Sequence, residues 1–419
     1  MVSIGFVYFC SVIKNNYELQ NDGTMKNILS KRTFIVLPLF LFSLHPLWGQ
    51  KSNFKNDICI PGKLYMLSDI RNDVFVEALI KRWRPYNDFV RFSGDCVYSR
   101  KLNRVASVDT PVDGSNMKIE LVNSDEFETI KEKAISICVG KKGIGTQEVT
   151  VQILGDSFVN GAFFRDALLS KNYIPGIKLV GLRNIKNEEG QYDEGRGGWT
   201  VKKYFEIPKG EMTSYHGYMQ PVGEYRYWGS CEFWKNCYKV INGELTDTEI
   251  VYNCGRYDQC ITKFDKETGY LAAPKKNDLM YDNARGSYMV YTGKKWKNVE
   301  VDERKWAFNY RKYLDMWNLD APKFFAQMLG LNDYRDSLTA DYREWNKKIA
   351  EMKESYYKAV PDGKFIILIP CTTCGSLNNI RGDFTLRQNA AMWQLRKNII
   401  DTFDGRESEG YYVVDIGIT

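Results

Sequence analysis

Five short apolar runs, at 149–154, 178–182, 324–329, 364–370 and 411–416, punctuate the latter part of the chain. Between them, apolar residues recur at spacings of three and four. Phe163, Phe164 and Leu168 share one helical face after the first run. Leu338, Tyr342, Trp345, Ile349, Met352 and Tyr356 share another after the third, with Lys347, Lys348 and Glu351 opposite them. Leu386, Ala390, Trp393, Arg396 and Ile400 repeat the pattern after the fourth. Continuous apolar runs alternating with amphipathic helices predict an α/β domain over 147–419 whose parallel sheet is covered on both sides.

The preceding segment reads differently. Runs at 63–67, 74–78, 89–92, 117–122 and 134–139 are short, rich in β-formers and separated by Gly, Asp, Asn and Ser. They predict a small β-sandwich module over 51–146. Gly140, Gly143 and Gly145 are closely spaced but precede a strand instead of leading from one into a helix, which makes them a linker and not a phosphate loop. The interval 201–318 is far longer than an ordinary connection between sheet strands and predicts an insertion with structure of its own. Its aromatics, among them Tyr215, Tyr218, Tyr225, Tyr227, Phe233, Tyr252 and Tyr257, predict a packed core, with Trp228 or Trp234 as candidates to line a cleft.

Residues 1–50 have the pattern of an export leader. Met25 and Lys26 open a basic stretch with Lys31 and Arg32, residues 34–44 are apolar, and Leu47-Trp48-Gly49-Gln50 forms a processing end. The apolar run is shorter than the ~20 residues that span a bilayer, so the mature protein, starting its synthesis at Met25, is expected without a membrane span and in the periplasm or secreted. The charge balance, 58 basic against 52 acidic residues, is spread along the chain and argues against nucleic acid as a partner. Outside the leader stand Cys59, Cys96, Cys138, Cys231, Cys237, Cys254, Cys260, Cys371 and Cys374. In an oxidising compartment they predict disulfides within the insertion and a small one between Cys371 and Cys374.

Candidate chemistry sits where three of the apolar runs end. Gly155-Asp156-Ser157 closes the first, Gly195-Arg196-Gly197-Gly198-Trp199-Thr200 follows the second, and Gly330-Leu331-Asn332-Asp333 closes the third. A serine handed from a strand to a helix stands at the sheet edge where α/β proteins build their sites. These three turns, in this order, resemble the first three sequence blocks of the SGNH (GDSL-type) hydrolases, from about Glu148 onward. The resemblance implies a three-layer α/β/α, flavodoxin-like sandwich. It implies Ser157 as nucleophile, with the Gly198 N–H and the Asn332 amide as oxyanion donors beside the N–H of Ser157. It implies neither metal nor organic cofactor.

The implied activity is ester hydrolysis. The leader resembles those of exported Bacteroidetes proteins, and together with the β-module and the aromatic insertion it resembles carbohydrate O-acetyl esterases. The expected partner is therefore an acylated carbohydrate or another small ester. A lipase or aryl-ester hydrolase, or a catalytically degenerate glycan-binding protein, are the alternatives. The family's fourth block, Asp-x-x-His, has no counterpart here. Of the two histidines, His45 lies in the leader and His216 follows the second block, where a surface or insertion histidine is expected. The expectation is a chain truncated before that block, with an inactive relative of full length as the rival.

Overall fold

In Lys63–Leu67 (β1), successive side chains enter two different cores. Leu64 and Met66 pack among Val90, Ile119, Leu121 and Ile135. Tyr65 and Leu67 point the other way, against Val151, Phe324, Ile366 and Val414. A strand's period of two makes this possible when both of its faces are covered. The computed structural model describes residues 56–417 except 69, 77, 82–87, 96, 101–104, 124–126, 141–147, 162, 171–175, 185–191, 211, 247, 256 and 371–384. The leader, Cys96, and the pair Cys371 and Cys374 lie outside the described residues.

After β1 come Asn72–Phe75 (β2), Asp88–Gly94 (β3), Val97–Arg100 (β4), Val105–Val108 (β5), Asn116–Asn123 (β6) and Thr129–Gly140 (β7). They form two sheets, ordered β1-β7-β6-β3 and β2-β5-β4, and Val74, Ala106 and Val108 of the smaller sheet share one apolar cluster with the larger. This unit is also tied to the carboxyl-terminal part of the chain. Trp393 Nε1 donates to Leu79 O at 3.0 Å, Gly62 N donates to Asp404 Oδ2 at 2.7 Å, and Lys63 pairs with Glu407 at 2.5 Å.

The chain continues through Val149–Gly155 (β8), Ser157–Asn160 (α1), Phe163–Ser170 (α2), Ile177–Leu179 (β9) and Glu194–Gly195 (β10). The helix anticipated after Ser157 is split in two around Gly161. The insertion follows, with Met219–Pro221 (β11), Arg226–Ser230 (β12), Cys231–Ile241 (α3), Thr248–Cys254 (α4), Asp278–Asp282 (β13), Ser287–Tyr291 (β14), Trp296–Val299 (β15), Trp306–Phe308 (β16) and Tyr310–Trp317 (α5). Then come Phe324–Met328 (β17), Leu331–Tyr334 (α6), Arg343–Ala359 (α7), Lys364–Ile369 (β18), Leu386–Phe403 (α8) and Tyr411–Asp415 (β19). The molecule is thus mixed α/β. Among the described residues no helix is long and apolar enough to cross a membrane.

One sheet runs β10-β8-β17-β18-β19, with β9 also paired to β8, and every pairing in it is parallel. Numbered by order of appearance after residue 148, the strands of that path stand 3-1-4-5-6, with the second, β9, also beside β8, so strand order reverses between β8 and β17. Phe325, Phe365, Ile367 and Val413 turn one face toward Leu314 of α5, Ile349 and Met352 of α7, and Leu395 and Ile399 of α8. The opposite face meets Leu168 of α2 and the two outward residues of β1. The long helix begins later than its periodicity suggested: Asp341 Oδ1 accepts from Arg343 N at 3.0 Å and turns the chain in there, leaving Leu338 outside and exposed.

The insertion carries no disulfide among its described cysteines. Cys231, Cys237, Cys254 and Cys260 are free thiols, which corrects the expectation of covalent staples. Each thiol has its own environment; Cys237 Sγ, for one, lies 3.7 Å from the carbonyl of Cys254. Aromatic packing holds this region instead, as where Trp234 stacks on Phe264 at 3.9 Å between centroids.

Because β1 belongs to both cores, unfolding of the two should be coupled. Met66→Ala and Leu67→Ala are each expected to cost about 2–5 kcal/mol. Calorimetry should show one transition displaced as a whole in both variants; two transitions, each sensitive to only one substitution, would show the cores to be independent.

Candidate active site

Strand β8 delivers Asp156 and Ser157 to the carboxyl edge of the parallel sheet. Gly155 is the last residue of the strand, and its lack of a side chain lets Val159 and the Met328 carbonyl close over it. Asp156 caps the short helix α1, its Oδ1 accepting from Phe158 N at 3.0 Å. Ser157 follows the cap and is exposed. The capped turn and the presented hydroxyl are one structure, so local helix capping and a nucleophilic role for Ser157 are compatible.

On one side of β8 lies β10, whose end continues into the turn Arg196 to Trp199. Gly155 O accepts from Arg196 N at 2.9 Å, and Trp199 N closes the turn on Arg196 O at 3.2 Å. Gly198 is exposed and has φ +73°, a left-handed conformation that glycine adopts without penalty. On the other side of β8 lies β17, followed by Asn332 in α6. The Asn332 amide donates to Trp199 O at 3.1 Å and faces Asp156 Oδ2 at 3.4 Å. The Asp333 carboxylate accepts from Val201 N at 3.1 and 3.2 Å. The structure therefore brings the turns bearing Ser157, Gly198 and Asn332 together, with the third hydrogen-bonded directly to the first two.

Burial dominates the electrostatics of this cluster. It pushes Asp156 up to about 6, against the hydrogen bond from Phe158 N. It pushes Asp333 up to about 7, and the neighbouring charge of Asp156 acts in the same sense. Both carboxylates are committed to backbone or amide donors, which suits them to hold the turns in place.

His216 lies in the insertion, buried and not at its surface. Its side chain is buried among Trp199, Tyr204, Tyr215 and Tyr218. Nε2 lies 3.0 Å from Glu206 O and Nδ1 accepts from Tyr218 N at 3.2 Å, so the neutral ring with its proton on Nε2 satisfies both nitrogens. Burial, reinforced by the charge of Arg196, pushes it down to about 3. Both nitrogens are engaged, and neither is left to take a serine proton. Trp228 and Trp234 are instead buried in the insertion's core, with Nε1 of Trp234 on Trp228 O at 2.5 Å, and neither lines the cavity beside the second turn.

The insertion reaches the site through other residues. A cavity of about 220 Å³ beside the second turn is lined by Trp199, Lys203, Glu206, Met212, Thr213 and Asn253. Tyr252, on α4, is 45% exposed, and a Cβ on Gly197 would overlap its hydroxyl. The buried Arg183 holds that region: it donates to Tyr252 O at 3.4 Å, Asn253 O at 3.3 Å and Ser214 Oγ at 3.2 Å, and to Asn160 Oδ1 of α1 at 3.2 Å. Only composition hinted at this, since Tyr252 was one aromatic among many.

The chain matches no protein-family model. No curated protein matches it either. Among solved structures it is similar to an alpha-galactosidase/melibiase-like protein from Bacteroides fragilis NCTC 9343, with 9% identity and a TM-score of 0.19 over 75% of this chain and 52% of that one. The chain thus spans about half the length of that protein, and so slight a likeness carries nothing over to the site.

Two titrations follow from the geometry. The unfolded imidazole takes a proton below about 6.5, whereas native His216 stays neutral to about 3; its contribution to stability is lost as pH falls through that window. Proton NMR of the His216 ring should show no titration between pH 5 and pH 8 (~2 units above its native value and beyond); a midpoint near 6.5 would place the ring in solvent. Asp333 has the opposite sign, because the native carboxyl keeps its proton up to about 7 and the unfolded one loses it near the ordinary 3.8. Its stabilising effect therefore falls as pH rises between those values. Asp333→Asn keeps an acceptor for Val201 and removes the slope, so its Tm relative to the parent should be higher at pH 8 than at pH 5 (roughly either side of the native midpoint); an unchanged difference would mean that Asp333 ionises like an exposed carboxyl.

Proposed function

We propose that the protein is an exported serine esterase of the SGNH type, with the parallel sheet as the middle of a three-layer α/β/α sandwich. The observation that carries the reading is the convergence of Ser157, Gly198 and Asn332 on three adjacent parallel strands, at the point where strand order reverses between β8 and β17. In open α/β sheets that crevice, outside the carboxyl ends of the strands, is where ligands bind.

In this proposal the Ser157 hydroxyl attacks the acyl carbonyl and forms a tetrahedral oxyanion. The N–H groups of Ser157 and Gly198 and the amide of Asn332 receive that charge, each such donor contributing roughly 3 kcal/mol to the transition state. In this reading the proton of Ser157 passes to a general base of the fourth-block type, which the described residues do not supply, and water then releases the acyl group from the serine. The proposed substrate is an O-acetylated carbohydrate. The mixed lining of the cavity beside Trp199, with Lys203, Glu206, Thr213 and Asn253, offers both donors and acceptors to hydroxyl groups and supports that choice over a purely apolar acyl chain.

A glycan-binding protein that retains the fold without turnover is favoured by one observation: both nitrogens of His216 are engaged. Hydrolysis of 4-nitrophenyl acetate by the full-length protein, with the general base that the esterase reading requires, separates the two readings. The esterase reading expects turnover that Ser157→Ala reduces by about 1,000-fold or more. Turnover that survives this substitution refutes the nucleophile, and saturable binding of an acetylated oligosaccharide with no acetate release establishes the binding protein.

A further inference from the structure

We propose that Tyr252 is a further catalytic residue of this site, its phenol hydroxyl donating to the acyl oxygen alongside the Gly198 N–H. The inference rests on the reading of Ser157 as nucleophile.

The first argument is the pair of glycines. A turn of this shape requires glycine only at 198, where φ is +73°. Gly197 has no such φ, so its missing side chain answers to space and not to backbone conformation. The space it leaves is filled by the Tyr252 hydroxyl, which a Cβ at 197 would overlap and from which a Cβ at 198 would stand 3.7 Å away. The phenol therefore lies against the peptide backbone that presents the candidate oxyanion donor.

The second is that Tyr252 departs from its neighbours. Tyr215, Tyr227 and Tyr257 are wholly buried with their hydroxyls bonded inside the insertion, and Tyr218 is buried with its hydroxyl on Gln152 of β8, whereas Tyr252 keeps 45% of its surface exposed. A large aromatic that leaves the core and sets its polar end at a site edge offers a hydroxyl donor on a stiff ring with few rotamers.

The third is how it is held. Arg183 donates to the carbonyls of Tyr252 and Asn253 and to the side chain of Asn160. Asn160 closes the helix that Ser157 opens. One guanidinium thus fixes the backbone of Tyr252 relative to the helix bearing the nucleophile, giving the preorganisation that a transition-state donor needs.

The experiment compares Tyr252→Phe, Gly197→Ala and Ser157→Ala in the full-length protein, base included, with 4-nitrophenyl acetate. Tyr252→Phe removes the hydroxyl and leaves the ring in place, and Tm measured alongside shows whether the fold is retained. The expected result is a loss of kcat of about tenfold or more with KM unchanged, the mark of an interaction made in the transition state. Gly197→Ala should lose kcat as well, because the methyl displaces the phenol, and combining it with Tyr252→Phe should add little. Parental kcat in Tyr252→Phe, with Ser157→Ala inactive, overturns the role of Tyr252 alone. Parental turnover in Ser157→Ala overturns the site reading, and this inference with it.

Discussion

A buried ion pair at the end of β10 holds the second turn, and much of the molecule is arranged around it. Glu194 Oε2 and Arg196 Nη1 are 2.6 Å apart with side chains 0% and 1% exposed. Taking two charges out of water costs several kcal/mol per ion, and attraction offsets this only when the remaining polar atoms also find partners. Here most do. Glu194 Oε1 accepts from Leu182 N at 2.6 Å and from the Tyr313 hydroxyl at 2.7 Å, and Arg196 Nη2 donates to Tyr215 O at 2.9 Å. The Tyr204 hydroxyl lies 2.8 Å from Gly155 O and 2.6 Å from Glu194 O, joining the ends of β8 and β10. Among the described residues Arg196 Nε has no hydrogen-bond partner, but the other bonds make the network costly to open and rigid while closed.

From that pair the constraint spreads into the insertion. Gln152, buried in the middle of β8, accepts from the hydroxyls of Tyr310 at 2.6 Å and Tyr218 at 3.1 Å and donates to Tyr313 at 3.0 Å. Tyr218 is stacked between Phe308 and Tyr313, with centroids 4.8 and 4.3 Å away. These tyrosines serve twice, contributing apolar area through their rings and saturating the polar atoms of the sheet through their hydroxyls. That explains how an insertion with free thiols packs firmly on the sheet, and why His216 ends up sealed beneath it.

What the sequence disclosed follows from the range of the forces involved. Strands β8, β17, β18 and β19 were legible because they are buried on both faces and read as continuous apolar runs. Trp345, Ile349, Met352 and Tyr356 were legible because one face of α7 meets the sheet. Strand β10 was not: it is two residues long, and its polar Glu194 is stabilised by partners 119 and 12 positions away. Strands β4 and β5 escaped because they are four residues each, with Lys101, Asn103 and Arg104 between them. The three turns were legible as motifs, but their bonding to one another through Asp156, Asn332 and Asp333 depends on tertiary contacts that no local pattern encodes.

Those contacts bear on how a donor can be both held and available. The Asn332 amide has two hydrogens; one is engaged with Trp199 O at 3.1 Å, and the other faces Asp156 Oδ2 at 3.4 Å. Bonds of the first length are well formed, whereas the second lies at the weak end of the range. Burial of Asp156 explains why its carboxylate is not simply left without the amide: an unpaired buried acceptor is expensive. An oxyanion arriving beside Ser157 offers that hydrogen a charged partner in exchange for a long contact, while the bond to Trp199 keeps the amide from rotating away. In the proposed esterase, Asp156 therefore keeps Asn332 in position before substrate arrives, and the weakness of that one contact is what leaves the donor free to act.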